Sequence, residues 1–153
     1  MKGRYKNFEQ DEYKANDARA KDAVCQFISK VPGRMISPPK EDYGPDILVY
    51  DQTKDSWRYH EVEVKLVWVG PWPMDRWSTI HLPERKGKLM EYGDISFWVL
   101  SKDLSQAWVT KDCVVKKSPL EEIPNTKIAN GELFYNIPIS CSYFVDLTER
   151  GSR

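Results

Sequence analysis

One stretch constrains this chain more than any other. From Trp57 to Trp68 residue character alternates with period two, which is the signature of a β-strand. One face carries Arg58, His60, Val62, Val64, Leu66 and Trp68; the other carries Tyr59, Glu61, Glu63, Lys65 and Val67. The apolar face asks for a core, so the strand belongs at or near the centre of a sheet. Its opposite face nevertheless holds three charges in a row, about 6.6 Å from one to the next. Charges in a half-buried position are costly unless they are paired or bound to a metal. The bland alternative is the solvated face of an amphipathic edge strand.

The segment before this strand sharpens the choice. Pro45-Asp46 opens an apolar β-branched run, Asp46 to Tyr50, and Asp51 to Ser56 reads as a turn. A hairpin through that turn brings Asp46 towards Glu63, so that two carboxylates and Lys65 converge. Hard oxygen ligands with open positions suit Mg²⁺, with Mn²⁺ as a substitute. A lysine beside a metal-bound water orients it and stabilises phosphoryl charge.

The remaining chain reads as follows. Residues 1–8 are polar and expected to fray. Residues 9–30 have a helical pattern through Tyr13, Ala20, Ala23, Val24, Phe27 and Ile28, ended by Pro32-Gly33. Arg34–Ser37 is a short strand, stopped by Pro38-Pro39. Residues 83–92 are expected to be helical, Ile95–Leu100 and Ala107–Thr110 to be strands, and Cys113–Val115 to extend the second of these. Residues 118–131 look like loop, and Phe134–Leu147 is strand-like but broken by Pro138. The whole describes a single α/β domain over residues 1–153 with one mixed central sheet flanked by helices. Its core covers about residues 10–115, and a C-terminal extension covers about 116–153.

The pair Pro45-Asp46 and the triplet Glu63-Val64-Lys65, in their strand context, resemble the PD-(D/E)XK signature of restriction-endonuclease-like nucleases. The helix, three strands, helix, strand order resembles that family's core. The resemblance implies a metal-dependent endodeoxyribonuclease. Asp46, Glu63 and the backbone carbonyl of Val64 would be the metal ligands, and Lys65 the catalytic lysine. It implies DNA as partner and, for cutting both strands, a homodimer or higher homo-oligomer. An acidic residue of the first helix often completes such a site; Glu9, Asp11, Glu12 and Asp17 are available. Asp17 is preferred because it falls on the apolar stripe. Two rival readings stand beside this one: a nuclease selective for junctions or branched DNA, and a catalytically idle DNA-binding module of the same fold.

Other residues carry open alternatives. Glu61 is either a third acid beside the metal or a solvent-facing residue one step along. His60 is expected to be a satisfied, partly buried histidine. His81 either packs or contacts phosphate. Arg85, Lys86 and Lys88 open the second helix and form either a solvated face or a DNA-phosphate contact. Trp68, Trp72 and Trp77 are expected to serve the core or an interface rather than to stack on bases. Cys25, Cys113 and Cys141 form no CxxC pair and are expected to be buried thiols in a reducing compartment.

Composition bounds the function. The chain has 153 residues, with 23 basic and 23 acidic side chains cancelling to zero formal charge. A polybasic nucleic-acid coat is excluded, whereas a local basic groove is not. No apolar run approaches the roughly 18 residues of a membrane helix. The first residues lack the apolar core of a signal peptide, so a cytoplasmic, intracellular location is expected.

Overall fold

The computed structural model describes residues 2–37, 44–125 and 128–148, with side chains over 16–37, 44–122 and 132–148. The chain opens with helix α1 (Lys2–Ser29), which starts well before the expected residue 9. Ala20, Val24 and Ile28, spaced by four, are all buried. Each buried aliphatic of this size contributes about 1.5–3 kcal/mol. The helix ends at Ser29, and four residues on Gly33 takes φ 88°, in the left-handed region that favours glycine, where the chain turns into the first strand.

Among the described residues, a six-stranded sheet runs β1-β2-β3-β5-β6-β9. It comprises β1 (Arg34–Ser37), β2 (Ile47–Asp51), β3 (Ser56–Val64), β5 (Ile95–Leu100), β6 (Gln106–Lys111) and β9 (Tyr143–Asp146). β2 and β3 are the expected hairpin, with Ile47 opposite His60 and Asp51 opposite Ser56. Its turn is tied by Asp51 Oδ1, which accepts from the backbone N and the hydroxyl of Thr53. β3 then pairs with β5 in parallel, Glu63 opposite Val99, so β3 is a central strand as its pattern demanded.

The connection between β3 and β5 carries β4 (Thr79–Pro83) and a 3-10 helix, Glu84–Tyr92. The general α/β class is therefore as expected, with four corrections in detail. First, β3 stops at Val64, so Leu66 does not reach the core and is half exposed. Second, Cys113–Val115 does not extend β6. It lies in helix α2 (Asp112–Lys117), because a short apolar run serves either structure equally well. Third, most of the supposed loop at 118–131 is extended. β7 (Leu120–Asn125) and β8 (Ile128–Pro138) form with β4 a second, three-stranded sheet in the order β4-β8-β7, so the sheet is not single. Fourth, Cys113 and Cys141 are exposed, and Cys25 is only half-buried.

Two cores result. Between α1 and the large sheet lie Val24, Ile28, Val49, Val62, Trp98 and Val109. On the sheet's other side Trp68, Trp72, Phe97, Val99 and Trp108 pack with Ile80 and Leu82 of β4 and Ile137 of β8. Trp68 and Trp72 meet edge to face at 4.9 Å, and Trp72 meets Trp77 at 5.1 Å. Trp68, Trp72 and Trp108 thus serve the core, with Trp77 packed against it. No helix among the described residues is long and apolar enough to cross a membrane.

Candidate functional site: a carboxylate and lysine cluster at the end of β3

β2 begins only at Ile47, so β3 loses its antiparallel partner beyond His60. Asp46 takes over where the ladder stops. Its Oδ2 accepts from the backbone N–H of Val62 at 2.9 Å, and its own N–H donates to Glu61 Oε1 at 3.0 Å. The result is a cleft of about 270 Å³ between α1, the start of β2, the end of β3 and the 3-10 helix. Asp17, Asp46, Glu63, Val64, Arg85 and Lys86 all line it.

Two lysines neutralise the acids. Lys21 Nζ lies 2.9 Å from Asp17 and 3.1 Å from Asp46. Lys86 Nζ bonds Glu61 and lies 3.2 Å from Glu63. This second group is the more buried, with side-chain exposures of 7% for Glu61, 16% for Lys86 and 19% for Glu63. Burial drives the Glu61 carboxyl above the ordinary carboxylate range, with Lys86 opposing and Asp46 adding to the rise. Burial works against the Lys86 ammonium, but Glu61 and Glu63 outweigh it and hold Lys86 firmly charged. Lys21 behaves likewise: burial lowers it, while the bonds and charges of Asp17 and Asp46 carry it above its usual value.

Of the residues read from the sequence, Asp46, Glu63 and Val64 are therefore brought to one cleft, together with Asp17. Glu61 is buried at the floor of the cluster, so it is not the solvent-facing residue of the bland reading. Lys65 is placed elsewhere. Its ammonium stands 5.2 Å from the centre of the Trp77 ring, where burial lowers its pKa. His81, on β4 opposite Asn136, is on that same side; burial lowers it first and the charge of Lys65 lowers it further.

Lys86 is not one of a row of solvated cations on a helical face, because it is built into the acid cluster. Arg85 is exposed, lines the cleft and lies 3.6 Å from Glu132. Lys88 is exposed and does not line the cleft. The side chains of Glu9, Asp11 and Glu12 lie outside the described residues. Sequence reasoning missed Lys21; its i, i+4 spacing from Asp17 was the available signal.

The donor set bears on metal binding in two ways. The carboxylates of Asp17, Asp46 and Glu63 on one cleft are hard oxygen donors of the kind Mg²⁺ and Mn²⁺ take. Among the described residues, however, no group of three or more His, Cys, Asp or Glu is disposed to hold a metal ion. The chain's own ammonium groups already supply the positive charge. A cation would have to share the carboxylates with Lys21 and Lys86 or displace them.

No protein family, curated protein or solved structure matches this chain.

Proposed function

We propose that the chain is a metal-dependent nuclease that hydrolyses DNA phosphodiester bonds at the cleft closed by Asp46 and Glu63. The observation that carries this reading is the shared cleft. Residues far apart in the chain (Asp17, Asp46, Glu63 and Lys86) line one concave site beside a strand end that has lost its partner. Asp46, Glu63 and the Val64 carbonyl would hold the metal. The chemistry a bound divalent cation supplies is polarisation of a phosphoryl oxygen and an activated water. Asp46 is fixed for this by the Val62 amide, and Glu63 by Lys86. Lys86 is the lysine that the cleft offers to a phosphate. Lys65, the lysine of the motif, would have to leave Trp77 to serve there. Arg85 at the rim is available to a phosphate of the DNA backbone. One cleft per chain cuts one strand, so duplex cleavage calls for a second copy.

The neutralised carboxylates favour a second reading, an idle site on a DNA-binding module. One experiment separates the two. Purified protein is incubated with supercoiled plasmid, a four-way junction and Mg²⁺ or Mn²⁺, beside Asp46→Asn, Glu63→Gln, Lys65→Met and Lys86→Met proteins and an EDTA control. Cleavage by the wild type, lost in Asp46→Asn, Glu63→Gln and EDTA, is the expected result. Cleavage of the junction alone would make the enzyme structure-selective. Loss in Lys65→Met but not Lys86→Met would return the catalytic role to the motif lysine. Binding of DNA without any cleavage would establish the idle module.

A further inference from the structure

A second cleft lies on the α1 side of the large sheet, beyond the point where α1 ends at Ser29. Its volume is about 320 Å³, at the lower end of the range for small-molecule sites. Every strand of that sheet contributes to its wall, and three of them contribute a cation. Arg34 comes from β1, Arg58 from β3, Lys111 from β6, and Lys54 from the hairpin turn. They face a single carboxylate, Asp51, which lies 3.9 Å from Arg34 Nε and is already engaged by Thr53. Arg58 donates to a hydroxyl, Ser96 Oγ, at 3.4 Å. Half-buried guanidinium groups that share a wall repel one another, and a hydroxyl does not offset that charge.

The neutral groups of the wall point the same way. His60 Nδ1 accepts the indole N–H of Trp98 at 2.9 Å, so in a neutral ring the proton sits on Nε2 and that nitrogen is a donor. Burial, reinforced by Arg58 and Arg34, keeps His60 neutral, with its pKa lowered to about 3. Tyr143 on β9 adds a hydroxyl at the rim. The cleft therefore presents guanidinium forks, ammonium groups, an imidazole N–H and a hydroxyl around one space, and the acceptors that meet the two arginines are the Ile28 carbonyl at 3.4 Å from Arg34, Asp51 and the Ser96 hydroxyl, of which Asp51 alone is charged.

We infer that this cleft binds a phosphate monoester dianion, its attached group lying between Tyr143 and Trp98. A tetrahedral dianion offers acceptors in several directions and a charge that matches the cation excess. A carboxylate brings half that charge and its acceptors lie in one plane. The ester is carried either by a small molecule such as a nucleotide or by a nucleic-acid 5′ end; the chemistry recognised is the same. The site shares no lining residue with the carboxylate cleft except elements of the fold, so it stands or falls independently of the nuclease reading.

The test uses the full chain at pH 8, above the second phosphate pKa of about 6. Calorimetry is run with inorganic phosphate, a nucleoside 5′-monophosphate, the unphosphorylated nucleoside, and DNA oligonucleotides with and without a 5′ phosphate. In parallel, the indole N–H resonance of Trp98, assigned with Trp98→Phe, is followed by NMR. Binding of the monophosphate but not the nucleoside, with a shift of the Trp98 resonance, is expected. Arg58→Gln should weaken it about tenfold or more, and Lys111→Gln, at an exposed rim position, by a few-fold. Binding confined to the 5′-phosphorylated oligonucleotide supports the same site and names its source as a nucleic-acid end. The proposal is overturned if the nucleoside binds as tightly as its phosphate, or if no phosphate compound binds at millimolar concentration. It is also overturned if a folded Arg58→Gln or Lys111→Gln protein binds as the wild type does.

Discussion

The carboxylate of Asp46 reaches the backbone amide of Val62 at 2.9 Å, at the place where β2 no longer offers a carbonyl. One side chain thus has two tasks that substitution separates. Asparagine keeps an oxygen for the Val62 amide but removes the charge that Lys21 and a metal need. Alanine removes both and orphans a part-buried N–H. Asp46→Ala is expected to lose about 1–2 kcal/mol more stability than Asp46→Asn in urea unfolding. Both proteins are expected to lose Mn²⁺ binding in calorimetry. Equal destabilisation by the two would show that the amide contact contributes nothing.

Lys86 is the only cation bonded to Glu61 among the described residues, and Glu61 is buried. Lys86→Met should therefore cost about 3 kcal/mol at pH 9, where Glu61 is ionised in the wild type, and less at pH 7, where the stranded carboxyl can take up a proton. The double variant Lys86→Met with Glu61→Gln should recover much of that loss, since the amide oxygen still accepts from Asp46. Equilibrium unfolding of the four proteins in the cycle measures the coupling. A neutral single variant would mean that water already reaches Glu61.

Lys86 owes its place to the close approach of the 3-10 helix and β8. A Cβ built on Gly87 would stand 2.6 Å from the Tyr135 hydroxyl and 3.2 Å from its ring. Gly87→Ala is expected to cost about 1–3 kcal/mol, the usual range for overpacking. Adding Tyr135→Phe should return part of it by removing the nearest atom. If the double variant is as unstable as the single, the ring or the backbone sets the limit and not the hydroxyl.

His60 gives a pH dependence with a definite sign. Its ring is held neutral in the folded chain, with a pKa of about 3 against an ordinary value near 6.5. The unfolded chain therefore takes up the proton first as the medium is acidified. The stability His60 contributes is present in full above pH 6.5 and drains away as pH falls towards 3. The steepest loss is about 1.4 kcal/mol per pH unit. His60→Phe should flatten the profile of unfolding free energy between pH 6.5 and 4, measured in phosphate-free buffer. An unchanged slope would assign the acid sensitivity to other groups.

What the sequence revealed, and what it hid, divides by the range of the interactions. The β2–β3 hairpin was legible because Asp51, Asp55 and the alternation after Trp57 are local signals. They also place Asp46 near Glu63. The partners of those acids were not legible. Lys86 lies twenty-five positions from Glu61 and meets it only because β4 and the 3-10 helix fold back over the sheet. Residues 118–131 look like loop in the sequence because Pro119, Pro124, Asn125 and Gly131 are turn residues by composition. Their extended form is held by pairing, Glu121 with Phe134 and Leu120 with Tyr135. The resemblance to PD-(D/E)XK nucleases directs attention to the end of β3, yet local spacing gives no way to see that Lys65 turns to Trp77 while Lys86 takes the cleft.

β3 has a further consequence for how the molecule meets a partner. Within five residues it runs from Arg58, in the cationic cleft, to Glu63, in the cleft whose carboxylates are paired with lysines, a separation of about 17 Å. A chain of zero formal charge thus carries, among its described residues, a cation excess at one end of its central strand and paired charges at the other. A polyanion would exert a torque on it at long range, turning the Arg58 end forward before contact. That alignment fades once the Debye length drops to about 10 Å at 0.1 M salt. Encounter rates with nucleic acid or nucleotides should then respond to ionic strength far more than the net charge suggests.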